Sequence, residues 1–262
     1  HFDWSLYLDV PDATDRAVKT TYAGQTWNPD TLTQRMHQAR NQLDPLSRQP
    51  VTIEPGSYRA FLTPGAMSEI LGGLAWSGFS RKERESGTSS LGLLADGSQA
   101  MSPLINIQEA TALGTSPAFT TTGFVRPDQI PLITNGMAAQ ALVSPRSAAE
   151  FSESANADES EYPHSLAMHG GTMATAHAQE ALDNGIWISN LWYLNYSDRP
   201  ACRMTGMTRF ATFWVENGKI IAPLKVMRFD DSLLRLFGES LEALTTEVEF
   251  MPDPSTWGAR HL

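Results

Sequence analysis

The chain has 262 residues, with 19 basic against 29 acidic side chains, a formal net charge of −10 and a 41% hydrophobic share. That length allows about two domains and a core of ordinary size, while the acidic balance argues against a nucleic-acid surface, which needs a concentrated basic face, and against anionic membranes. No apolar run is long enough to span a bilayer, and the single cysteine, Cys202, excludes an internal disulfide framework and fits a reducing compartment.

In chain order, Phe2, Trp4, Leu6, Leu8 and Val10 alternate with Asp3, Ser5, Tyr7 and Asp9, the period of a strand with one buried face. Residues 15–22 are its expected hairpin partner. After Asn28-Pro29-Asp30, Leu32, Met36, Ala39 and Leu43 make one helical stripe. Short strands are expected at 51–53 and 58–62 around Pro55-Gly56. Thr63 as a cap, Pro64 in the first turn, and Met67, Ile70, Leu71 and Leu74 at helical spacing predict an amphipathic helix from 64 to about 76. Residues 80–90 are polar and charged, hence a mobile loop.

Residues 105–143 carry short apolar runs broken by glycine and proline, which predicts small strands and loops. Residues 144–163 are rich in serine, alanine and acid and are expected to form an exposed or disordered excursion. A strand at 164–170, a helix at 174–182 ended by Asp183-Asn184-Gly185, and a strand at 186–194 follow. Phe213 to Val215 and Ile220-Ile221 flank Asn217-Gly218, the pair that best tolerates the positive φ angles of a type I′ turn, so a β-hairpin is expected there. Gly206 just upstream marks a bulge or a close approach. Leu233, Leu236, Phe237, Leu241 and Leu244 form an apolar helix face that Asp230-Asp231 would cap, and 248–251 closes as a strand. The fold class read from these elements is α+β, antiparallel sheets with a few helices packed on them.

The order Asn195-Tyr196, the loop Asp198-Arg199-Pro200, then Thr205-Gly206-Met207-Thr208-Arg209, an aromatic strand and Glu216-Asn217-Gly218-Lys219-Ile220 resembles the C-terminal part of the TldD/PmbA family, also called modulator of DNA gyrase. The likeness runs from Asp15-Arg16-Ala17-Val18-Lys19 and Tyr22-Ala23-Gly24 through Arg228-Phe229 and the following helix. It implies the C-terminal fold of that family in a fragment lacking the N-terminal domain. It also implies a cytoplasmic two-part peptidase, in which a zinc-bearing TldD-type subunit pairs with a TldE/PmbA-type subunit without the metal site.

In the catalytic subunit, the helix corresponding to 64–76 resembles a His-Glu-x-x-x-His pattern. Here the register reads Ser68-Glu69-Ile70-Leu71-Gly72-Gly73: the glutamate is present and both histidines are replaced. Zinc needs imidazole, thiolate or carboxylate donors, which serine and glycine do not supply, and without zinc Glu69 has no acidified water to activate. Cys202 does not fall where the family's zinc cysteine would, near the C-terminus.

The resemblance therefore implies a non-catalytic TldE/PmbA-like subunit with no metal of its own, and zinc in a TldD-type partner. The partner is that subunit or a second copy of this chain. An unfolded peptide substrate would be held by strand addition. Candidate peptide contacts, carried over from the matching motif, are Asn195, Tyr196, Thr205, Gly206, Met207, Thr208 and Arg209, and Trp187, Trp192 and Trp214 are candidate interface anchors.

The alternatives are a peptidase using a divergent metal set, such as His164 or His169 with Glu69, or a peptide-binding module without proteolysis. His164, His169 and His177 fit neither one helix face nor a finger spacing. No nucleophile elbow and no phosphate-cradling glycine loop occurs.

Overall fold

The computed structural model describes residues 1–9, 16–114, 116–120 and 122–252. Val10 and Asp15, part of the expected first hairpin, lie outside them. The remainder of that hairpin is present: β1 (Phe2–Tyr7) pairs antiparallel with β2 (Ala17–Tyr22), and Val18, Leu6 and Leu8 face a small core. Helix α1 (Pro29–Asn41) starts as its sequence dictates, with Asn28 accepting the Thr31 N–H at 3.0 Å and proline in the first turn. The short α2 (Leu43–Ser47) follows it.

The centre of the fold is a five-stranded sheet. β3 (Ala60–Leu62) runs parallel to β8 (Gly185–Asp198), and β8 pairs antiparallel with β9 (Arg203–Glu216). The far edge of β9 is shared end to end: β10 (Lys219–Pro223) covers Phe213–Glu216, and β11 (Arg228–Ser232) covers Arg203–Met207. The β9–β10 turn is the expected one, with Asn217 and Gly218 both at positive φ, 50° and 68°.

One face of the sheet, through Ala211 and Phe213, packs on Val18, Ala39 and Leu46. The other, through Ile186, Ile188, Leu191 and Met204, packs on α3 (Pro64–Ala75) and on a second, four-stranded antiparallel sheet in the order β6 (Met137–Ala138), β5 (Ile130–Thr134), β4 (Ile107–Glu109), β7 (Leu166–Met168). This is the α+β arrangement of antiparallel sheets and packed helices that the sequence implies.

Several local expectations are corrected. Residues 51–53 make a single bridge, Val51 to Leu224, rather than a strand, and of 58–62 only Ala60–Leu62 pairs. Residues 80–90 are not a loose loop: Ser80 caps α4 (Arg81–Glu85), and Ser89 and Ser90 are buried. A further turn of helix, α5 (Gly92–Ala95), follows. The expected excursion at 144–163 is instead ordered, with Ser144 capping α6 (Pro145–Phe151) and Ser147, Ala157 and Glu161 buried.

The expected helix at 174–182 divides into a 3-10 turn, Thr175–His177, and α7 (Ala178–Leu182). The last helix, α8, is only Leu233–Leu236 and is capped by Ser232, not by the aspartates. Asp231 pairs with Arg235, and Asp230 with Arg203. Leu241 and Leu244 still pack on the large core, outside any helix. Residues 248–251 form no strand.

Candidate functional site

The β3–β8 pairing places α3. Thr63 donates its N–H to Ile188 O at 3.1 Å and its hydroxyl to Ser189 O at 2.6 Å, and the same hydroxyl oxygen accepts the Ala66 N–H. The helix therefore starts against β8 and runs along the sheet, burying Ala66, Ile70 and Leu74 at four-residue intervals.

Ser68 is half-buried and turns its hydroxyl back to Gly65 O at 2.9 Å, while Glu69 is exposed. Gly73 faces β8 and β9. A Cβ built there would overlap Met204 Cε, and the Gly73 carbonyl accepts the Tyr196 hydroxyl at 2.9 Å. Any side chain at 73 would thus oblige the flexible end of Met204 to move, and burial raises the Tyr196 phenol above its ordinary value.

These residues do not fit a zinc ion. Ser68 and Gly73 offer no ligand, the space a histidine at 73 would need holds Met204, and among the described residues no three His, Cys, Asp or Glu side chains converge as a metal set. His164 is engaged elsewhere: its Nε2 lies 2.7 Å from Asp158 Oδ2, and Asp158 also pairs with Arg126 at 2.9 Å. Glu109 beneath it is buried, which raises its carboxyl, and it accepts the backbone N–H groups of His164 and Ser165. The divergent set of His164 or His169 with Glu69 therefore has no support in the geometry.

The seven candidate peptide contacts lie together on β8 and β9, and strand alternation divides them between two faces. Tyr196, Gly206 and Thr208 turn toward the large core: Thr208 is 4% exposed, and a Cβ on Gly206 would meet the Phe229 ring at 2.8 Å. Asn195, Thr205, Met207 and Arg209 share the opposite face with Asn190 and Trp192 through the pairs Asn195–Thr205, Trp192–Met207 and Asn190–Arg209. All seven belong to this one stretch of sheet, but only the four on the second face are placed to touch a ligand through side chains. Both edges of β9 are already paired. β8 beyond Ile188 has no strand partner on its outer side among the described residues.

Sequence reasoning named Trp192 as a candidate anchor but did not single out Tyr193 and Phe210 beside it. Trp192 and Tyr193 are 47% and 72% exposed, their rings meet edge to face at 4.9 Å, and the Arg209 guanidinium stacks 4.1 Å over Trp192 and 4.7 Å over Phe210. Tyr193 and Phe210 have φ of 57° and 58°, and both sit at register shifts, one in each strand. Such bulges re-aim side chains. The signal was present as two consecutive large aromatics in a strand that otherwise alternates. Of the three expected anchors only Trp192 is well exposed. Trp187 stacks on Phe61 at 4.3 Å, and Trp214 packs edge-on against Tyr58 at 5.9 Å and donates to Glu216.

Comparison with known proteins agrees with this architecture. Residues 55–260 match the model of the PmbA/TldA metallopeptidase C-terminal domain. Similar solved structures include a Thermotoga maritima protein described as a modulator of a DNA gyrase, at TM-score 0.74 and 16% identity, covering 92% of this chain and 56% of that one. A Bacteroides thetaiotaomicron protein of the same description matches at TM-score 0.63 and 17% identity, over 80% of this chain and 46% of that one. TldE from Thermococcus kodakarensis matches at TM-score 0.65 and 13% identity, over 84% and 52%.

At these identities the structures establish the fold, and this chain spans about half the length of each relative. No curated protein matches. Among the described residues no helix is long and apolar enough to cross a membrane. The extent of the family match and the shared fold make the chain a member of the PmbA/TldD metallopeptidase-related family, in its C-terminal domain.

Proposed function

We propose that this chain is the non-catalytic, TldE/PmbA-like subunit of a cytoplasmic metallopeptidase assembly that processes unfolded peptides. Its own site carries no metal, and zinc is supplied by a TldD-type partner. The observation that carries this reading is the donor set of α3: the helix positions that would bear metal-binding imidazoles hold Ser68 and Gly73, which supply no zinc ligand, and Met204 packs over Gly73.

The peptide role rests on the sheet. An extended peptide along the outer edge of β8 would draw affinity from backbone hydrogen bonds, while Asn195, Thr205, Met207, Arg209 and Trp192 on the exposed face would select side chains or meet the partner subunit. Tyr196, Gly206 and Thr208 hold that edge in place from the core side.

The test is reconstitution. The full-length protein is purified alone and with a TldD-type subunit, zinc is measured after dialysis, and cleavage of an unstructured peptide is followed. The expected result is no zinc and no cleavage for this protein alone, a stable complex, and cleavage by the mixture above that of the partner alone. Stoichiometric zinc in the protein alone, or a mixture no more active than the partner, defeats the proposal.

A further inference from the structure

A second feature, away from the β8–β9 face, points to a ligand. Helix α4, residues 139–143 after β6 and residues 153–156 after α6 line a wide, open groove of about 440 Å³, whose lining includes Arg81, Arg84, Gln140 and Glu153. A volume of this size suits a small-molecule ligand.

The two arginines differ. Arg81 is fully committed: it pairs with Glu85 and with Glu153 at 2.8 Å, and lies 4.5 Å over the Phe151 ring. Arg84 has no ion pair or side-chain hydrogen bond among the described residues, and its Nε is shut off from solvent with no acceptor. Burial first, and the like charge of Arg81 second, lower its guanidinium below the ordinary arginine value. The guanidinium keeps its proton, so a half-buried, unpaired one lining an open groove is suited to take an anion from outside.

We propose that the groove is a carboxylate-binding site, in which Arg84 takes the two oxygens of a small organic carboxylate as a fork. A planar guanidinium matches a carboxylate in this bidentate manner. One uncommitted positive charge balances one carboxylate and leaves a doubly charged anion under-neutralised, since Glu153 stands nearby on Arg81. The Gln140 amide and the Ser154 hydroxyl line the same groove as further donors, and Ala95, Ala141 and Val143 supply a shallow apolar wall. The ligand is therefore a monocarboxylate with a short apolar body. It arrives either as a free acid or as the C-terminal residue of a peptide. The site is independent of the peptidase-subunit reading and stands or falls by itself.

The experiment uses the whole chain and follows the Arg84 Nε–H resonance by NMR. The probes are N-acetylvaline, its amide, acetyl-Gly-Gly-Val with a free carboxylate, and inorganic phosphate. The expected result is a saturable shift with N-acetylvaline and none with the amide. A tighter response to the peptide acid identifies a chain terminus as the source, and a weaker one a free small acid.

Arg84→Gln should reduce binding by at least about tenfold while leaving the melting temperature unchanged or raised, because a half-buried unpaired charge is removed. Arg84→Lys should retain part of the binding. Equal shifts with acid and amide, phosphate binding as tightly as N-acetylvaline, unchanged binding by Arg84→Gln measured calorimetrically, or no saturable response to either acid would each overturn the assignment.

Discussion

The Met204 methyl group fills the hollow that a side chain at Gly73 would need, and Met204 is itself 1% exposed on the central strand β9. Restoring the full pattern with Ser68→His and Gly73→His should therefore overpack the core and lower stability by roughly 1–3 kcal/mol. It should give no retained zinc. Adding Met204→Ala should recover part of the loss, read by thermal unfolding with zinc measured after dialysis. A double-histidine variant as stable as the parent and holding stoichiometric zinc would show that the hollow is not closed.

Glu161 accepts the Ser80 hydroxyl at 2.6 Å, the Lys82 N–H at 2.9 Å, and the Ser144 N–H and hydroxyl at 3.0 and 2.8 Å. Burial opposes its charge, but hydroxyl and amide donors outweigh burial and hold the carboxyl down to about 2. A depressed carboxyl stabilises the fold fully above its ordinary value near 4.5 and loses that contribution as pH falls toward about 2. Glu161→Gln should cost up to about 3 kcal/mol at neutral pH, and the gap to the parent should narrow below about pH 4. Urea unfolding at pH 7 and pH 3 checks this, and a gap that is the same at both pH values refutes it.

Cys202 is fully buried, and burial pushes its thiol up to about 12. Only a thiolate reacts readily with disulfide reagents. The native chain should be inert to a chromogenic disulfide at pH 8 over minutes, and should release one equivalent of chromophore after unfolding in guanidinium. Prompt native labelling would contradict the buried placement.

The two faces of β8 and β9 should respond differently to substitution. Arg209→Ala removes a half-buried stacking cation from Trp192 and should change stability by no more than about 1 kcal/mol, while weakening peptide or partner binding. Gly206→Val drives a branched side chain into the Phe229 ring and should destabilise by more than about 1 kcal/mol. Melting temperatures set beside pull-down with the partner subunit separate the two. A large stability loss from Arg209→Ala would mean that this face is structural.

Local chemistry was readable where it was self-contained. Asn217-Gly218 specifies its turn through backbone angles, Thr63-Pro64 its helix start, and the apolar spacing of 66–74 its buried stripe. Ser68 and Gly73 were likewise visible as a register without metal donors. Order imposed from a distance was not readable. Residues 80–90 and 144–163 look loose by composition, yet Ser80, Lys82 and Ser144 all converge on Glu161. The division of the seven candidate contacts between two faces was hidden because the bulges near Tyr193, Ser197 and Phe210 shift the register, which simple alternation from the sequence does not anticipate. Leu241 and Leu244 match a helical period but reach the core from an irregular segment, since apolar spacing alone does not supply the backbone hydrogen bonds of a helix.

Because the Glu161 carboxylate meets the first turns of both α4 and α6, those turns are pinned together although they are remote in the chain. Neither can fray without releasing the other. The amide protons of Lys82 and Ser144 should accordingly exchange with deuterium at one common rate, as a single opening event, and both should speed up together once the pin is drawn.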